Sequence, residues 1–134
     1  MKVILNKCYG GFDVSDAAYE LYAKKKGITL YEYKELRNLD LERVYSFDRP
    51  LITHYFTEDM GAYVSSDKVD WSKMLYLNSG HRDDETLIEV VEELGKKASG
   101  ACGKLVVVEI PDGMDYVIDE YDGIETLHQR VQEW

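Results

Sequence analysis

The sequence predicts an α+β fold: one compact domain over residues 1–134, with two or three helices packed on a mixed sheet. Three observations lead there. Segments 15–27 and 84–100 carry apolar residues at helical spacing between clear start and stop signals. Each lies between short runs of strand character, such as "KVILNK" and "KLVVVEI". The 134 residues, 45% hydrophobic and 31% charged, suffice for one core and lack a disordered composition.

Taken in order, "KVILNK" (2–7) alternates Val3 and Leu5 against Lys2, Ile4 and Asn6, the period of a strand. "SDAAYELYAKKKG" (15–27) is a helix: Ser15 is the N-cap, Asp16 sits in the first turn, lysines close the last turn and Gly27 stops it. Ala17, Ala18, Leu21 and Tyr22 form its expected buried face. "ITLYEYKEL" (28–36) alternates Ile28, Leu30 and Glu32 against Thr29, Tyr31 and Tyr33, which suits a strand. Residues 37–73 have no sustained period. Short strands are expected there around "LITHYF" and "GAYVS", with turns at "FDRP" and "TEDMG".

"MLYLN" (74–78) reads as a strand and leads through the polar turn "SGHRDDE" into the clearest helix. In "DETLIEVVEELGKKASG" the stripe is Leu87, Ile88, Val91, Leu94 and Ala98; acids lead, Lys96 and Lys97 trail, and Gly100 follows. "KLVVVEI" (104–110) is a valine-rich buried strand ended by Pro111. The tail "DYVIDEYDGIETLHQRVQEW" allows two readings. Asp122-Gly123 is a hairpin signal, whereas Asp122 with Glu125 makes a capping box and Ile124, Leu127, Val131 and Trp134 recur at helical spacing. The reading adopted is a strand at 115–121 followed by a helix.

Composition excludes several classes. The longest apolar run, "LVVVEI", is far short of a membrane span, and the N-terminal apolar segment is too short for a signal-peptide core. A cytoplasmic location is therefore expected. Cys8 and Cys102 form no CxxC pair, and His54, His81 and His128 are scattered singly, so neither a metal site nor any cofactor is expected. A net charge of −10 opposes binding to a nucleic-acid polymer but leaves room for one small anionic ligand. The 11 tyrosines against 3 phenylalanines suit surfaces that are packed on one side and wet on the other, as at the rim of a core or the wall of a ligand site.

Two stretches carry candidate chemistry. "KCYGGFDVSD" (7–16) runs from strand through Gly10-Gly11 to a helix cap, the setting of a phosphate loop. No Walker or G-x-G-x-x-G pattern follows, and Asp13 and Asp16 already supply negative charge at the helix start, so a tight strand-to-helix turn is the preferred reading. "NSGHRDD" (78–84) gathers an amide, a hydroxyl, an imidazole and a guanidinium, and Arg82 can fork onto a phosphate or carboxylate. The structural alternative has Asp83 capping the helix, Asn78 and Gly80 making the turn, and Arg82 paired with a nearby acid. Cys8 at a strand end is more often packed than reactive.

The segments "NKCYGGF", "VVEELGKKASG", "VEIPDG" and "IDEYDGIE" resemble those of small proteins encoded by tailed phages and prophages. The resemblance covers both ends and much of the C-terminal half, and it implies an accessory, anti-defence protein acting in the host bacterial cytoplasm. Some phage proteins of this size are oligomeric sponges that sequester nucleotide-derived immune signals without cleaving them. On that analogy the chain is expected to be a homo-oligomer that binds such a ligand and is not an enzyme. The proposed ligand residues are Arg82, His81, Asn78, Tyr9, Phe12, Arg49 and Lys7, with cations for phosphates and rings for the base. Two alternatives stand beside it: an acidic interaction module that inhibits a host protein by meeting a basic partner, and a small enzyme using Cys8 or the "NSGHR" loop.

Overall fold

The computed structural model describes residues 1–44 and 53–130. Its elements are β1 (Lys2–Asn6), α1 (Asp16–Lys26), β2 (Tyr31–Glu35), β3 (Leu41–Arg43), β4 (His54–Phe56), β5 (Tyr63–Val64), β6 (Met74–Leu75), α2 (Glu85–Leu94), β7 (Leu105–Glu109), β8 (Tyr116–Tyr121) and β9 (Ile124–Gln129). The class is α+β. Among the described residues the strands form three antiparallel sheets, β1–β7, β5–β3–β2–β4–β6 and β8–β9. The chain divides into two units, residues 1–25 with 77–134, and residues 26–76. No helix among the described residues is long and apolar enough to cross a membrane.

In the first unit β1 runs antiparallel to β7, with Val3 opposite Val108 and Leu5 opposite Val106. Val3, Ile4 and Leu5 are all buried, so both faces of β1 are covered. Helix α1 starts as expected: the Ala18 N–H donates to Ser15 Oγ at 3.2 Å, and Gly27 takes a φ of +69° to stop it. Its buried face is Ala18, Tyr19, Tyr22 and Ala23, while Ala17 is exposed and Leu21 only half-buried. Two inward tyrosines move the face, because each hydroxyl finds a partner there. Tyr19 Oη accepts from the Leu77 N–H at 2.9 Å, and Tyr22 Oη donates to Asp84 Oδ2 at 2.7 Å. Asp84, not Asp83, caps α2, accepting from the Thr86 N–H at 2.9 Å.

The tail is a hairpin, which overturns the expected helix after residue 121. β8 and β9 pair from Tyr116 opposite Gln129 to Tyr121 opposite Ile124. Asp122 and Gly123 both have positive φ, +49° and +91°, the type I′ geometry whose twist matches that of the flanking strands. The capping-box pattern at Asp122 and Glu125 is a coincidence of spacing, since Glu125 lies inside β9. Val131 and Trp134, part of the helical pattern, lie outside the described residues.

The second unit is built on β2, flanked by β3 and β4. β4 and β5 fall within "LITHYF" and "GAYVS", β3 was not anticipated, and the "FDRP" turn lies outside the described residues. Its core is Tyr33, Leu41, Phe56 and Val64, with Met60, Val69 and Met74 packed against it. The Tyr33 and Phe56 rings meet edge to face at 5.4 Å. Tyr33 is fully buried yet satisfied: its hydroxyl donates to Gly61 O at 2.8 Å and accepts from the Met60 N–H at 2.9 Å.

Candidate functional site

The glycine loop that joins β1 to α1 receives the chain's own hairpin. Gly10 N–H donates to Asp122 O at 3.1 Å, and a Cβ on Gly123 would stand 2.5 Å from Gly11 N. A donor that a phosphate would need is thus used by the β8–β9 turn, and the turn reading of this loop holds. The same loop is held from the other side. Asp13 Oδ2 accepts from the Cys102 N–H at 3.1 Å, and Gly100 and Gly103 lie so close to Asp13 that neither has room for a side chain.

Arg82 is also engaged within the protein. Its Nη2 donates to Glu125 Oε2 at 2.7 Å and its Nη1 to Glu125 Oε1 at 3.1 Å, a two-pronged pair that is largely buried. The guanidinium stands 5.7 Å from the centre of the Phe12 ring. Lys7 Nζ donates to Glu125 O at 2.5 Å. Three of the expected ligand residues therefore converge, but on an internal acid, as the structural alternative for Arg82 supposed. Asn78 and His81 serve their own turn: Asn78 Oδ1 accepts from the Gly80 N–H at 2.9 Å, and His81 Nδ1 accepts from the Asn78 N–H at 3.4 Å. Tyr9 is exposed. Arg49 lies outside the described residues.

A concave site of the first unit lies beside Cys8. A pocket of about 480 Å³ is lined by Cys8, Leu105 and Val106 on the strand side and by Gly95, Lys96, Ser99, Gly103 and Lys104 on the loop side. That volume falls in the usual range for small-molecule sites. Its walls are mostly apolar, and its two charged lining residues are both lysines.

The backbone around the pocket is fixed by polar contacts. Ser99 Oγ accepts from the Leu105 N–H at 2.8 Å, and Asn6 Oδ1 accepts from the Lys104 N–H at 2.8 Å. Asn6 is fully buried and also donates through Nδ2 to Cys8 O at 2.8 Å and to Gly123 O at 2.6 Å. One amide thus sets the strand ends at Cys8 and Lys104 and the hairpin turn together. Sequence reasoning named Cys8 but missed Lys96 and Lys104. Lys96 and Lys104 each follow a glycine, but nothing local in the sequence links them to Cys8.

Among the described residues no cluster of His, Cys, Asp and Glu is placed to hold a metal ion. Compared with known proteins, the chain matches no family model, no curated protein and no solved structure.

Proposed function

We propose that the protein binds a small phosphate-bearing ligand of the nucleotide class in the Cys8 pocket and holds it without turnover. One observation carries the reading: in a chain of net charge −10, the charged residues that line this apolar pocket are Lys96 and Lys104. Leu105 and Val106 offer an aliphatic wall for a ring, and the lysines offer point charges for phosphate oxygens. The lining contains no aromatic side chain, so base recognition here works by apolar contact and not by stacking. It also contains no histidine or carboxylate to act as a base toward Cys8 or Ser99, which supports retention over reaction. The phage-protein resemblance supplies a purpose: sequestration of an immune signal in the host cytoplasm, by a homo-oligomer.

The test is native mass spectrometry of the purified chain with cyclic dinucleotides and ADP-ribose derivatives, beside the variant Lys96→Glu with Lys104→Glu. An intact ligand that leaves only on denaturation, and no adduct on the variant, is the expected result. The same spectra give the oligomer size. A converted ligand would make the protein an enzyme, and no adduct across the panel would overturn the reading.

A further inference from the structure

Of the two strands in the β8–β9 hairpin, β9 faces the body of its unit: Glu125 accepts from the Asn6 N–H at 2.8 Å, and its carbonyl accepts from Lys7. β8 has β9 as its one ladder partner among the described residues. The Arg130 N–H donates to Asp115 O at 2.9 Å, and the alternation of an antiparallel ladder then fixes which groups turn outward. Asp115, Val117, Asp119 and Tyr121 bond to β9. Tyr116, Ile118 and Glu120 direct their N–H and C=O groups away from it. Such an edge is a template for another strand.

The side chains along β8 and its turn are acidic: from Asp115 to Gly123 the chain contains no lysine or arginine, against Asp115, Asp119, Glu120 and Asp122. Asp119 meets His128 at 2.8 Å, Asp115 meets Arg130 at 3.2 Å, and Glu120 accepts from the Gly123 N–H at 3.1 Å. Asp119 and Glu120 are exposed, and Tyr121 is 75% exposed at the end of the strand. A second copy pairing edge to edge would set these acids against one another, which disfavours self-association here. We infer that the outer edge of β8 takes up an extended, lysine- or arginine-rich segment of a partner protein as an added strand. Main-chain groups of Tyr116, Ile118 and Glu120 would form the ladder, and the acids would select the basic sequence and speed encounter.

The experiment measures fluorescence anisotropy of a labelled octapeptide alternating lysine and valine, titrated with the full chain, beside an octapeptide alternating glutamate and valine. Binding of the basic peptide alone, weakened by added salt, is the expected result. Ile118→Pro removes an outward N–H without touching the β8–β9 ladder, and it should abolish binding while thermal melting shows the chain folded. Should that variant unfold, Asp119→Asn with Asp122→Asn keeps an Asn-Gly turn and should weaken binding about tenfold, as loss of two exposed charge contacts implies. Equal binding of the acidic peptide, or unchanged binding by folded Ile118→Pro, would overturn the inference. So would a dimer in sedimentation that Ile118→Pro dissolves, since it would assign the edge to a second copy.

Discussion

Arg82 and Glu125 together act as a substitute strand along the open edge of β1. The Ile4 N–H donates to Arg82 O at 2.8 Å, Arg82 Nη1 returns a bond to Ile4 O at 3.1 Å, and the Asn6 N–H donates to Glu125 Oε1 at 2.8 Å. β1 uses the groups of Val3 and Leu5 for β7 and would otherwise leave those of Ile4 and Asn6 buried without partners. The ion pair therefore joins the loop before α2, β1 and β9.

Removing one partner should be costly. Glu125→Ala leaves Arg82 and the Asn6 N–H unpaired in a buried setting, and a loss of about 3 kcal/mol is expected in urea denaturation. Replacing both, by Arg82→Met with Glu125→Leu, should not recover wild-type stability, because the bonds to Ile4 O and the Asn6 N–H are lost as well. Full recovery in that double variant would show the pair to be an isolated ion pair and not an edge cap.

Gly123→Ala should unlatch the hairpin from the glycine loop. The position combines a φ of +91° with main-chain nitrogen 2.5 Å from the would-be Cβ, and backbone cannot give way as a side-chain tip can. A loss of about 2–4 kcal/mol is expected. Gly113→Ala is the control, with φ +76° but open space, and should lose about 1 kcal/mol. Equal losses at the two sites would mean that conformation alone, and not the contact with Gly11, matters.

Asn6→Ala tests the junction beneath the pocket. It strands the Lys104 N–H and the carbonyls of Cys8 and Gly123, so a loss of about 2–3 kcal/mol is expected from denaturation. Hydrogen exchange should localise the change: faster exchange at Lys104 and in the β8–β9 turn, with β2–β4 amides unaffected. Uniform acceleration over both units would contradict a local role.

Acid should loosen the second unit through Asp59. Its carboxyl is held below the usual value of 3.8, first by the Gly61 N–H and then by Arg43, 3.2 Å away. A folded-state value below the unfolded one gives stability that is present above the unfolded value and lost as pH falls through the folded one. Asp59→Asn should therefore lower stability near neutrality and flatten the profile below about pH 4, where the wild type loses the same contribution. An acid limb as steep as that of the wild type would remove Asp59 from the account.

The elements were legible where their signals are local. Ser15 and Gly27 bound α1, the Leu87, Ile88 and Val91 stripe marks α2 although its cap is Asp84 and not the expected Asp83, and Asp122-Gly123 advertised the hairpin that the helical spacing of Leu127 and Val131 then outweighed. The face of α1 was misread because hydropathy ranks Leu21 above Tyr19, whereas the Tyr19 hydroxyl reaches the Leu77 N–H. The candidate site was largely illegible. Lys96 and Lys104 show no pattern until the 95–104 loop folds back on β1, and Arg82 looked available only because its partner Glu125 lies far along the chain.

By itself the sequence determined the extents of α1 and α2 and the turn at Asp122-Gly123, since caps, periods and positive-φ residues act within a few residues. Tertiary structure alone decided what those elements present. Arg82 meets an acid 43 positions away and Asn6 one 119 positions away, and no local rule ranks such partners. Burial made those pairings: once Ile4 and Asn6 left water, their main-chain groups required donors and acceptors from whichever segment lay beside them.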